Sequence, residues 1–206
     1  MVFACDLGLA RMGKDSQMAA EPRYLSPEEY LESERRASTK SEYVDGRLFA
    51  MTGASENHNL LQINAILSIT PQVRRRGCQV YPSDMRVKIP NRRTYFYPDL
   101  TIVCGEPQFE EERRDTLLNP TVIIEILSPS TAMYDRTEKF ARYRSIPTLR
   151  EYLLIAQESA MIEHFVRQQD EQWLWSIAEH LTDTIELPSV GCTLALADLY
   201  ADITLS

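Results

Sequence analysis

The 206-residue chain has no cysteines in a CxxC arrangement; Cys5, Cys78, Cys104 and Cys192 stand far apart. That excludes the usual zinc ribbons and dithiol redox motifs. The cysteines read as reduced thiols of a cytoplasmic protein, with Cys104 in a buried strand. No apolar run approaches the length of a membrane span, and there is no internal repeat, low-complexity tract or linker. Positive charge is also scarce: 22 Lys and Arg stand against 30 Asp and Glu, a net charge of −8. Phosphate contacts dominate nucleic-acid affinity, so proteins that grip DNA tightly carry a basic face. This balance leaves room only for a weak, local contact with DNA, and no base-reading element is recognisable. The apolar opening Met1–Ala10 has no preceding basic residues and is interrupted by Asp6, unlike a secretory leader. Residues 1–22 are expected to be a disordered tail, with Met18 as an alternative start, and 23–206 a single domain.

What is present suits an α/β protein. Hydrophobic residues make up 44% and charged residues 25%, the balance of an ordinary globular domain with one substantial core. Ser26-Pro27-Glu28-Glu29 has the form of a capped helix start, predicting a helix to about Glu34. Asp45-Gly46 between apolar flanks predicts a hairpin over Glu42–Met51. Leu60, Ile63, Ile66, Leu67 and Val73 recur at helical spacing, predicting a helix from about Glu56 to Arg75 with those residues as its apolar face. Gln79–Ile89 and Tyr95–Val103 read as two strands joined at Pro90–Arg93. Gly105–Asn119 reads as a loop or a short solvated helix. Thr121–Leu127 (TVIIEIL) reads as a strand covered on both faces. A helix over Asp135–Ser145, a buried strand at Glu151–Ala156, a hairpin at Met161–Ile177, a strand at Thr184–Leu187 and a helix at Leu194–Tyr200 complete the chain. A mixed central sheet flanked by helices is the economical architecture, with the strands at Ile123 and Tyr152 as a parallel crossover unit.

Three features carry chemistry. Tyr97-Pro98-Asp99 places an acid in a strand, on the face of Thr101. Glu125 sits in the middle of an otherwise apolar strand; a carboxylate so stripped of water needs a cation or a proton. Asp135, Lys139 and Tyr143 follow at intervals of four, along one helix face, so the Lys139 amine can reach back over the strand of Glu125. Two carboxylates on neighbouring strands suit a hard cation such as Mg²⁺ or Mn²⁺, which orients water and neutralises charge at phosphorus. Each feature also has a plainer explanation. An acid after proline is often a hairpin-end residue, a buried glutamate often pairs with arginine or lysine, and Asp135 with Lys139 is an ordinary helix pair that can also cap.

The run YPDLTIVCG (97–105) resembles the first half of the PD-(D/E)XK nuclease signature. The run IEILSPSTAMYDRTEKFARY (124–143), with Glu151-Tyr152 and the earlier stretch EYVDGRLFAMTGASENHN, resembles the Uma-two family of restriction endonucleases, over roughly Tyr24–Thr204. The resemblance implies a restriction-endonuclease-like fold and Mg²⁺- or Mn²⁺-dependent hydrolysis of DNA phosphodiester bonds. It makes Asp99, Glu125 and the Ile126 carbonyl the metal ligands, with Glu42 as an assisting acid. The lysine expected two residues after the glutamate is Leu127 here; the family supplies it from the next helix, which means Lys139, with Lys88 as a substitute. Asp84 is a turn acid or a supporting group, and His58 is set aside as structural. A homodimer is implied by analogy, with Trp173 and Trp175 as candidate contacts or as core. A catalytically silent interaction or regulatory module on the same scaffold is the competing expectation.

Overall fold

A computed structural model of the chain describes residues 24–205; the expected tail at 1–22, the start at Met18 and Cys5 lie outside them. The first helix, α1 (Pro27–Glu34), begins as its sequence dictates: Ser26 Oγ accepts from the Glu29 N–H while the Glu29 carboxylate accepts from the Ser26 N–H, a reciprocal cap that satisfies two otherwise orphaned donors. The hairpin follows, β1 (Ser41–Val44) and β2 (Arg47–Ala50). Its turn needs left-handed backbone at both central positions, and Asp45 and Gly46 take φ of 50° and 95°, which suits the strands' twist.

Helix α2 (Glu56–Arg74), capped by Ser55, is rotated from the face the spacing suggested: Val73 is buried and Ile66 packs partly as expected, but other members of that row are not. Leu61, Ala65, Ile69 and Val73 are buried, whereas Ile63 and Leu67 are exposed at 52% and 66%. Two interleaved apolar rows were available. The row that packs on the sheet gains about 1.5–3 kcal/mol per Leu, Ile or Val and sets the rotation of the helix.

Next come β3 (Cys78–Pro82), β4 (Arg86–Lys88), β5 (Thr94–Phe96) and β6 (Leu100–Cys104). Sequence patterning predicts two long strands here, but each is broken. The breaks fall at Ser83–Met85 and at Tyr97–Asp99, and the halves join different sheets: β4 pairs with β5 and β5 with β1, while β3 pairs with β6. Proline cannot donate to a ladder; Pro82 ends β3 before the first break, and Pro98 lies within the second. Residues 105–119 are loop except for β7 (Thr116–Leu117), which pairs with β4, so no solvated helix forms there.

The central strand β8 (Val122–Leu127) is buried throughout. A helical segment follows in three parts: α3 (Ala132–Tyr134), a π-helical turn (Asp135–Lys139) and α4 (Phe140–Tyr143). It leads into β9 (Glu151–Ala156), parallel to β8 in the register Glu125↔Leu154. The hairpin β10 (Ile162–Arg167) and β11 (Trp173–Ala178) extends the sheet. The order is β11-β10-β9-β8-β6-β3 in the six-stranded sheet and β2-β1-β5-β4-β7 in the five-stranded one. A final pair, β12 (Thr184–Leu187) with β13 (Cys192–Ala195), precedes the short α5 (Leu196–Leu199), so part of the stretch expected as helix is strand. Trp173 is half-buried beside Phe140, whereas Trp175 is 53% exposed.

Side-chain alternation sorts β8 between two cores. Val122, Ile124 and Ile126 pack toward α2, and Ile123 and Leu127 toward Tyr143, Ile146 and Tyr152. Glu125 therefore faces the helical segment. The reduced-thiol expectation fails for Cys78 and Cys104, which form a disulfide. The antiparallel register places them directly opposite each other, with Cα atoms 4.0 Å apart. Cys192 is free and buried. Among the described residues no helix is long and apolar enough to cross a membrane.

Candidate active site

The break at Tyr97–Asp99 makes the site. Asp99 is not inside a strand, as expected, but in the bend just before β6. There the β6–β8 ladder, which runs Leu100↔Ile124 and onward, has stopped. The β8 backbone beyond it is open on that side, and Asp99 fills the gap: its Oδ2 accepts from the Ile126 N–H at 2.7 Å. Gln62 of α2 donates to the Asp99 carbonyl at 2.8 Å, which fixes the bend from the other layer.

Glu125 lies beside it, 3% exposed. Its Oε2 meets the Asp99 N–H at 3.4 Å, a weak contact that leaves most of its acceptor capacity free, while its Oε1 accepts from Tyr143 Oη at 2.8 Å and from Lys139 Nζ at 2.9 Å. Lys139 Nζ also contacts Glu42 Oε1 at 3.0 Å and Asp135 Oδ1 at 3.6 Å. One buried ammonium thus holds three buried carboxylates. Burial raises the Glu125 pKa to about 8; Lys139 opposes this, while Asp99, Asp135 and Glu42 add to it. Burial works against the charge of Lys139, yet Glu125, Glu42 and Asp135 outweigh it and hold its pKa well above the ordinary lysine value.

The structure therefore brings together Asp99, Glu125, Lys139 and Glu42, and adds Asp135 as a buried partner of Lys139 rather than a cap. Glu42 is 9% exposed, not a solvated strand end. Ile126 presents its N–H to Asp99. Lys88 is not part of the cluster: it pairs with Glu110. Asp84 takes Lys40 and also stays outside. Among the described residues no arginine is tied to Asp99 or Glu125.

His58, set aside as structural on sequence grounds, lies against Asp99. It lies in the first turn of α2, where Ser55 Oγ accepts from its N–H. Its ring Nε2 stands 3.2 Å from Asp99 Oδ1, and its Nδ1 is buried without a hydrogen-bond partner. The Ser55 cap followed three residues later by histidine was the available signal: a cap fixes where the first turn points. A ring that orients a ligating carboxylate is commonly worth 10–100-fold in metal affinity. We expect His58→Ala to weaken Mn²⁺ binding by that factor, measured by calorimetric titration; unchanged affinity would remove His58 from the site.

Among the described residues no group of three or more His, Cys, Asp and Glu side chains stands ready to enclose a metal ion. The donor set is instead two adjacent carboxylates with acceptor capacity to spare. That fits a hard cation such as Mg²⁺, which prefers oxygen ligands and keeps several of its waters.

Relatives with the same fold exist. A protein from Anabaena variabilis described as a putative nuclease belonging to DUF820 superposes with a TM-score of 0.72, covering 87% of this chain and 99% of that one at 19% identity. The fold is accordingly restriction-endonuclease-like, a mixed α/β architecture. Two uncharacterized proteins of Synechocystis sp. are similar in sequence. One, sll1609, is 39% identical over 157 residues, covering 76% of this chain and 89% of the relative. The other, slr1290, is 35% identical over 178 residues, covering 85% and 91%. The Uma2 model, described as putative restriction endonuclease, matches residues 27–197. With most of its length matched, the chain belongs to the Uma2 family of putative restriction endonucleases.

Proposed function

We propose that the protein is a divalent-metal-dependent endonuclease that hydrolyses phosphodiester bonds in DNA. The observation that carries this is the meeting of Asp99 and Glu125 at the open end of the β6–β8 ladder, with the Lys139 ammonium on Glu125. Asp99 and Glu125 would hold Mg²⁺ or Mn²⁺, with the Ile126 carbonyl as a third ligand. A cation bound there supplies Lewis acidity and lowers the pKa of water. Lys139, held charged by its three acids, orients the attacking water and stabilises negative charge developing at phosphorus. Glu42 and Asp135 aim the amine. Tyr143 fixes the rotamer of Glu125 by donating to Oε1.

The test is paired. Mg²⁺ or Mn²⁺ should raise the thermal midpoint, because a ligand of the folded state stabilises it by RT ln(1 + [L]/Kd), and the same ion should support nicking of supercoiled plasmid. Absence of both the shift and the nicking would overturn the proposal. A second reading is a silent nuclease-fold module acting as a homodimer. Leu127, fully apolar where the superfamily carries lysine, favours it, as does the net charge of −8. A midpoint shift without nicking on any nucleic acid would support that reading instead.

A further inference from the structure

Most of the basic side chains around the site are paired with acids, and Arg47 of β2 meets the Tyr24 hydroxyl and ring. On the helical segment, Lys139 is held by Glu125, Glu42 and Asp135, Arg136 pairs with Glu163, and Arg142 pairs with Asp45. Lys40, just before β1, pairs with Asp84. A duplex is gripped mainly by neutralising a row of phosphates, and these elements offer no such row.

What the same elements do offer is an aromatic ring. Strand β2 is the outer strand of the five-stranded sheet and is exposed along its whole length. In its register with β1, Phe49 lies opposite Glu42. Directly opposed residues project from the same face of a sheet, with Cβ atoms roughly 5 Å apart. Glu42 reaches Lys139 in the site, so Phe49 stands at the edge of that cluster, 50% exposed. An aromatic ring left half in water beside a cluster of charged groups lacks the cover that burial would give it. Tyr134, half-buried on α3, is close enough to Glu42 and Lys139 to feel both charges, and adds a second aromatic to the same border.

We infer that the substrate at this site is an unpaired stretch of DNA, held by stacking of a base on Phe49 next to the scissile phosphate. The inference rests on the nuclease reading above and narrows its substrate. A stacking contact accepts any base and adds to whatever the backbone contacts supply, and a base inside a duplex has no free face to give. The net charge of −8 and the paired cations conflict less with an unpaired strand than with a duplex, since the single strand has the lower charge density.

The experiment uses the full chain with Ca²⁺ added and a single-stranded oligonucleotide carrying 2-aminopurine, whose fluorescence is quenched on stacking, alongside the same sequence as a duplex. The single strand should bind more tightly at physiological salt and be quenched. Phe49→Ala should weaken its binding about tenfold or more, Phe49→Trp should restore it, and the metal-induced rise in thermal midpoint should be the same in all three proteins. Equal affinity for duplex and single strand would overturn the inference, as would a Phe49→Ala protein that binds and quenches like the parent. It would also be overturned if Phe49→Ala converts a dimer into a monomer, because the ring would then be covering a second copy. Phe49-dependent binding without cleavage of any substrate would uphold the stacking surface while removing the nuclease reading. Cleavage of duplex that ignores Phe49 would do the reverse.

Discussion

Lys139→Met should cost the metal-free protein roughly 3–5 kcal/mol at pH 8, the usual penalty for stranding buried charge without its partner. The side chain is 6% exposed and serves three carboxylates that are themselves 3–9% exposed. Methionine fills most of the volume, so the loss is one of charge rather than packing. The sign of the pH dependence follows. Without the ammonium that opposes it, the upward shift of Glu125 grows, so the folded state holds that proton to higher pH than the unfolded chain does. Stability then falls as pH rises through the interval between the two. Glu125, already raised to about 8 with the lysine present, shows the direction. The variant should therefore be closest to the parent near pH 5 and fall away toward pH 8, which denaturant titrations at the two values would read. A pH-independent deficit would mean that the lysine contributes packing alone. Mn²⁺ should recover more stability in the variant than in the parent, because it replaces the missing positive charge.

Asp99→Asn should lower cleavage at least 10³-fold and abolish the metal-induced midpoint shift, while the metal-free protein melts close to the parent. Asparagine retains an oxygen to accept from the Ile126 N–H, the contact by which Asp99 bridges to β8. It loses the charge that a hard cation requires and turns an amide NH2 toward His58 in place of Oδ1. The amide is therefore a cleaner probe than alanine, which would leave the Ile126 N–H buried without an acceptor, at about 1–3 kcal/mol. Plasmid nicking and differential scanning fluorimetry on one preparation read both quantities. An Asp99→Asn protein that cuts normally would remove Asp99 from the chemistry.

The parts of this molecule that could be read from sequence are those whose cause is local. The Ser26 cap, the Asp45-Gly46 turn and the doubly covered β8 each follow from a few adjacent residues, and they form as expected. Glu125 was conspicuous because its neighbours are all apolar. The misjudged parts depend on partners distant in the chain. The continuous patterns at 79–89 and 95–103 hide a change of sheet, since alternation persists through a bend. The rotation of α2 was chosen between two apolar rows by the sheet it meets. The Cys78–Cys104 bridge depends on a register between β3 and β6 that nothing in either cysteine's neighbourhood encodes. His58 looked structural because its partner, Asp99, is 41 positions along the chain.

The wide turn at Asp135–Lys139 has a consequence for how such a site is assembled. Each residue added to an α-helix rotates everything after it by about 100°, so an insertion ordinarily swings a working side chain away from its target. A turn of π type takes up one extra residue without disturbing the flanking coils. Here it lies between α3 and α4 and ends on the lysine itself. The helix can thus present an amine to Glu125 without altering how Phe140 and Tyr143 seat on Tyr152. That frees position 127 on β8 to be leucine.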